Sequence, residues 1–212
     1  MTAKLTFELD ASPIERLEAD IAVVAWFADE RPIRGAAARA DWRLCGRLSK
    51  LANEGSASGE AGEAILLTTS GGLRAPLVVA LGVGPRADFG LGGIEGLAHD
   101  AALRVVDLRA AKLAFPFPEE LPGAKGMRRR IAAVVTGIAT ALAERGAELH
   151  VVLAVAPGQV GAISEALATV SLRGAAADVA LRIVPRESPA PSRKGSHAAV
   201  SRVFSPGPSQ VK

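Results

Sequence analysis

The chain has 212 residues and is 49% hydrophobic but only 4% aromatic, with no tyrosine. That length fits one domain with a tail, the apolar share suffices for a full core, and rings are too scarce for a surface that stacks on bases or sugars. Of the formal net charge of +3, the excess sits beyond Pro185, where Arg186, Arg193, Lys194, Arg202 and Lys212 face only Glu187; the nearly neutral remainder argues against a body built to neutralise phosphates.

Met1–Asp10 holds no signal-peptide apolar run, and Leu5, Phe7 and Leu9 alternate with polar neighbours as in a half-buried strand. Ile21–Phe27 is continuously apolar, the mark of a strand covered on both faces. After a break at Asp29, Glu30, Pro32 and Gly35, the spacing of Ala40, Leu44, Leu48 and Leu51 predicts one helix over Ala36–Leu51. A turn-rich loop at Gly55–Gly62 leads to strands at Glu63–Thr69 and Pro76–Leu81. Next come a helix over Gly93–Leu108, a strand at Lys112–Phe117 and a helix over Arg128–Arg145 stopped by Gly146. A strand at Leu149–Val155, a helix over Gln159–Val170 and a strand at Val179–Val184 complete the series.

Strands alternating with helices predict an α/β fold with a mixed, mostly parallel sheet and helices on both faces. Residues 1–185 are expected to form the domain. Residues 186–212, with four prolines and six serines, are expected to be a disordered basic tail. No stretch reaches the roughly 18–20 apolar residues of a membrane span, so a cytoplasmic location is expected.

The order of features from Ala19 to Gly84 carries a family likeness. An Ala-Asp-Ile-Ala-Val-Val strand is followed by a Gly-Ala-Ala helix start and a helix containing an Asp. Then come Gly59-Glu-Ala-Gly-Glu63, an apolar strand and Leu-Val-Val-Ala-Leu-Gly-Val-Gly84. This resembles the N-terminal domain of the leucine aminopeptidase family, over about residues 18–155. The resemblance implies a macrodomain-like three-layer α/β/α sandwich. In that family the metal ligands and catalytic groups lie in a separate C-terminal domain with an Asn-Thr-Asp-Ala-Glu-Gly-Arg type signature. No such segment occurs in this sequence, so no catalytic residue carries over. The family's N-terminal domain contributes to hexamer architecture, and to DNA binding in some bacterial members. The resemblance therefore implies a non-catalytic oligomerisation or protein-interaction module.

Other chemistries stand or fall on their own residues. His99, His150 and His197 are scattered, and adjacent His99 and Asp100 do not share a helix face, so no metal site is expected. Cys45, on the predicted Ala36–Leu51 helix, could act as a nucleophile only with a basic partner close in space, and reads as a small hydrophobe. Gly82-Val-Gly-Pro-Arg-Ala87 matches G-x-G-x-x-A after a strand. A dinucleotide fingerprint needs a helix to open at once, and Pro85, Asp88, Gly90, Gly92 and Gly93 delay it, so no cofactor is expected. Asp20-Ile21 resembles the acid that reads adenine in macrodomains. With Gly35, Gly82 and Gly84 it outlines a candidate ADP-ribose or nucleotide site, although Asp29 and Glu30 would repel a diphosphate. Arg128-Arg-Arg130 opens a helix against its dipole. With Arg193 and Lys194 it forms the one basic patch, read either as solvated or as a contact for acidic protein or nucleic acid. Protein partners or self-association are expected ahead of nucleic acid, and no membrane.

Overall fold

A computed structural model describes residues 3–118 and 126–184. The sequence after Val184, including Arg193 and Lys194 and the predicted tail, lies outside the described residues. Seven strands form one sheet in the order β3-β4-β2-β5-β6-β1-β7. They are β1 (Lys4–Asp10), β2 (Ile21–Trp26), β3 (Ala64–Thr68), β4 (Leu77–Gly82), β5 (Lys112–Pro116), β6 (Glu148–Ala154) and β7 (Ala180–Val184). Six run parallel, and β3 pairs antiparallel with β4 at one edge.

The helices are α1 (Gly35–Arg43), α2 (Arg47–Asn53), α3 (Leu91–Asp107), α4 (Met127–Arg145) and α5 (Val160–Ala168). Helices α3, α4 and α5 pack on one face through Ile94, Val134, Ile138, Leu142 and Ile163, in one core with Phe7, Ile21, Leu113 and Val151. On the other face α1 and α2 cover Ala22, Val24, Trp26 and Val78 with Ala37, Ala40, Leu44 and Leu48. The result is the three-layer sandwich that alternation predicts. Among the described residues, no helix is long and apolar enough to cross a membrane.

Strand β1 is half-buried as its alternation implies. Leu5, Phe7 and Leu9 enter the core, while Thr6 and Glu8 point to the opposite face. There Glu8 lies 3.0 Å from the His150 ring on β6 and 3.7 Å from Lys112 on β5. Partial burial, joined by the Lys112 charge, lowers the His150 pKa below its ordinary 6.5 despite the pull of Glu8. The unfolded chain therefore binds a proton at higher pH than the folded one. Stability from the neutral ring is complete above pH 6.5 and is lost as pH falls from there toward the folded-state value. Thermal unfolding between pH 7.5 and 5.0 should show a smaller acid loss in His150→Gln than in the parent; equal losses would assign the slope to other groups.

The predicted helix over Ala36–Leu51 is in fact two helices. Cys45 adopts a left-handed φ of 56°, the Gly46 amide bonds the Asp41 carbonyl at 2.9 Å, and the Cys45 amide bonds the Trp42 carbonyl at 3.2 Å. This is a Schellman ending without glycine at its left-handed position, so periodicity alone ran through it. Buried Asp41 then starts α2. Its carboxylate accepts from the Leu48 amide at 2.7 Å, the Ser49 amide at 3.2 Å and the Ser49 hydroxyl at 2.5 Å. Asp41→Ala removes this cap and should cost about 1–2 kcal/mol. Urea unfolding measures it, with Asp41→Asn expected to recover part of the loss.

Candidate functional site

In parallel α/β sheets, ligand crevices open at the carboxyl ends of the strands, where loops of different connections diverge. A cleft of about 690 Å³ lies there. Its walls come from the ends of five parallel strands: Ala11–Pro13 after β1, Ala25 and Phe27 at the end of β2, Val83 after β4, Pro116–Pro118 at β5 and Ala154–Pro157 at β6. Phe27 and Phe89 meet edge to face, with centroids 5.4 Å apart, in the apolar part.

Charged groups enter from the loop after β2, from α1 and from the loop after β4. Glu30, with its side chain 14% exposed, lies 3.1 Å from Arg86 and 3.9 Å from Arg34. Arg86 also stacks over the Phe27 ring at 5.0 Å, and its amide donates to Asp29 at 2.9 Å. Arg39 on α1 lies 3.5 Å from Glu15. Arg31 turns away from the cleft, over the Trp26 ring at 4.7 Å, and donates to the Phe27, Glu30 and Ser58 carbonyls.

The structure scatters the residues singled out in the sequence. Gly35 lines the cleft as the first residue of α1. Asp20 and Ile21 stand at the amino end of β2, six residues from its cleft end, which is about 20 Å along a strand. There the Asp20 carboxylate accepts from the Ala111 and Lys112 amides at 2.9 and 2.8 Å, tying the start of β5 to β2. The adenine-reading likeness of Asp20 is thereby corrected: Asp20 and Gly35 are at opposite ends of the sheet and cannot share a ligand.

Gly82 and Gly84 face a neighbouring loop. A Cβ on Gly82 would stand 2.2 Å from the Glu60 carbonyl oxygen. The Gly84 amide bonds the Gly59 carbonyl at 2.9 Å. Glu63 latches the same loop, accepting from the Ser58 amide at 3.0 Å and the Gly59 amide at 2.6 Å. The Gly-x-x-Gly-Glu run is thus a folded loop held by its own glutamate. After Gly84 a 3-10 turn at Arg86–Asp88 intervenes before α3 opens at Leu91, which is the delay that Pro85 and the later glycines predict.

Of the arginine run, Arg128 and Arg129 are exposed at the start of α4. Arg130 instead folds over the Phe117 ring at 5.2 Å and donates to the Pro118 carbonyl at 2.8 Å. Among the described residues, no three His, Cys, Asp or Glu side chains gather as a metal-binding group. Sequence reasoning missed Arg34, Arg39 and Arg86 as a set. The signal was present, since each follows the carboxyl end of a parallel strand or sits on the helix that comes next.

Residues 23–144 match the model of the cytosol aminopeptidase family, N-terminal domain. No curated protein sequence matches the chain. Among solved structures the chain is similar to tomato leucine aminopeptidase (K354E mutant), at 16% identity and a TM-score of 0.57, covering 78% of this chain and 36% of that one. It is also similar to the macro domain of ganglioside-induced differentiation-associated protein 2, at 14% identity and a TM-score of 0.60, covering 75% and 81%. The Oceanobacillus iheyensis macrodomain, solved with ADP, gives 15% identity and a TM-score of 0.58, covering 76% and 88%. The chain thus spans about a third of the tomato enzyme's length and most of a macrodomain's. At these identities the likeness establishes the fold.

Proposed function

The chain belongs to the cytosol aminopeptidase family through that family's N-terminal domain, and we propose that it acts without catalysing a reaction, as an oligomerisation or protein-interaction module. The observation that carries this reading is the outer edge of β3. Among the described residues, no strand pairs with that edge. Its sequence, Ala-Ile-Leu-Leu-Thr, has no charge and no proline, and Leu66 is 51% exposed. Sheets that must stay alone protect such edges with lysine, proline or a bulge. Apart from the Arg47 guanidinium, which donates to the Thr68 carbonyl at 3.1 Å, this antiparallel edge carries no such protection, and it suits pairing with the same edge of a second copy about a two-fold axis.

Light scattering of the purified chain across a concentration series tests this. A defined dimer or higher closed oligomer is expected, and Leu66→Lys is expected to give a monomer with nearly unchanged melting temperature, because Leu66 is exposed in the single chain. A parent protein that stays monomeric throughout, or an oligomer indifferent to Leu66→Lys, would overturn the β3 assignment. A nucleotide-binding role would require residues other than Asp20 and Ile21, which lie away from the cleft.

A further inference from the structure

The cleft at the strand ends has a chemistry of its own, independent of the edge of β3. Its lining brings three guanidinium groups, from Arg34, Arg39 and Arg86, to a single carboxylate, that of Glu30. Glu15 lies against Arg39, and Glu30 is shared between Arg86 and the more distant Arg34. With Asp29, whose carboxylate accepts from the Arg86 amide at 2.9 Å, three acids balance the three guanidinium groups, so the positive charge open to a ligand is local to Arg34. Arg34 is the side chain best placed to meet an incoming anion, since it is 73% exposed and, among the described residues, its one ion pair spans 3.9 Å. The rest of the lining is apolar, with Phe27 beneath Arg86 and, beside it, Val83, Phe89, Leu97 and Phe117. A volume of about 690 Å³ is that of a small-molecule site.

We infer that the cleft receives a small amphipathic monocarboxylate. The apolar body lies against Phe27, Phe89 and Phe117, and the carboxylate meets the exposed Arg34 guanidinium beside Arg86. A guanidinium fork matches the planar carboxylate and gives a charge-assisted pair. A sugar diphosphate fits less well. It brings at least two negative charges to one loosely paired guanidinium, and its polar sugars to an aromatic wall.

The test uses the full chain with three probes, 4-phenylbutyrate, its neutral amide 4-phenylbutyramide, and ADP-ribose, in calorimetric titration and thermal unfolding. The carboxylate is expected to bind at least about tenfold more tightly than the amide, in line with one charge-assisted hydrogen bond. It should also raise the melting temperature. Arg34→Gln should bring carboxylate affinity down to that of the amide and leave amide binding unchanged. Arg74→Gln, at the opposite end of the sheet beside Glu18, should change neither. Equal binding of acid and amide by the parent protein, absence of binding by both, tighter binding of ADP-ribose, or an acid preference that survives Arg34→Gln would each overturn the inference. None of these results bears on the oligomeric state, so the two proposals fail separately.

Discussion

Gly137→Ala should be among the most damaging single-methyl changes in this domain, lowering stability by about 3 kcal/mol. Gly137 lies inside α4 where it crosses α3. A Cβ there would stand 2.2 Å from the Glu95 carbonyl oxygen, 3.0 Å from the His99 nitrogen and 3.1 Å from the Ala98 Cβ. Two of these contacts are with backbone, which has no rotamer to move. Relief requires the helices to separate by more than about 1 Å, and a gap of that size forfeits a large part of the dispersion contacts along the seam. That seam includes Ile94, Ala98, Ala101, Val134, Ile138 and Leu142, all fully buried. Against this stands the gain of replacing a mid-helix glycine by alanine, only about 1 kcal/mol, so the clash dominates.

The control is in the partner helix. A Cβ on Gly96 of α3 would meet nothing within 4 Å. Gly96→Ala should therefore stabilise by about 0.5–1 kcal/mol through helix propensity alone. Urea unfolding of both variants separates close approach from propensity. If both changes shift the midpoint in the same direction, the helix crossing is not held at Gly137.

The same physics marks what the sequence could disclose. Strands β2 and β4 were legible because both faces are covered, which leaves Ile21–Trp26 and Leu77–Gly82 continuously apolar. Strand β1 was legible as half-buried because Thr6 and Glu8 do not enter the core that Phe7 joins. The end of α4 was legible because Gly146 takes the left-handed cap, with φ 59°. The end of α1 was not, because the left-handed turn falls on Cys45, one residue ahead of Gly46, and the capping acid Asp41 stands seven residues before Leu48.

The cleft was only partly legible, for a different reason. Gly35 and Glu30 lie in the stretch the sequence singled out, but Arg86 joins Glu30 from 56 positions away. Strand order alone brings them together: β2 and β4 are neighbours in the sheet although β3 lies between them in the chain. Asp20 misled because a motif says which strand a residue is on and leaves open which end of the strand carries the site.

Gly82→Ala is the second large effect, expected to cost about 2–3 kcal/mol. Three segments interlock at the exit of β4. The Gly82 amide bonds the Glu63 carbonyl at 2.8 Å, the Gly84 amide bonds the Gly59 carbonyl at 2.9 Å, and the Ala28 amide bonds the Gly84 carbonyl at 3.0 Å. A Cβ on Gly82 would meet the Glu60 oxygen at 2.2 Å and the Gly59 carbon at 2.7 Å. The loop cannot yield freely, because Gly59 itself packs so closely on the Ala28 backbone that a Cβ there would stand 3.0 Å from it. Gly84 offers the contrast: with φ at +74° and its nearest neighbour 3.6 Å from a Cβ, it has room but the wrong backbone region for a side chain. Gly84→Ala should therefore cost only about 1 kcal/mol of left-handed strain, and Gly84→Asn, which tolerates that region, less. The order Gly82→Ala, Gly84→Ala, Gly84→Asn in falling damage, read from unfolding midpoints, distinguishes steric interlock from conformational preference. Damage at Gly84 equal to that at Gly82 would mean that the turn, and not the loop packed over it, holds this end of the sheet.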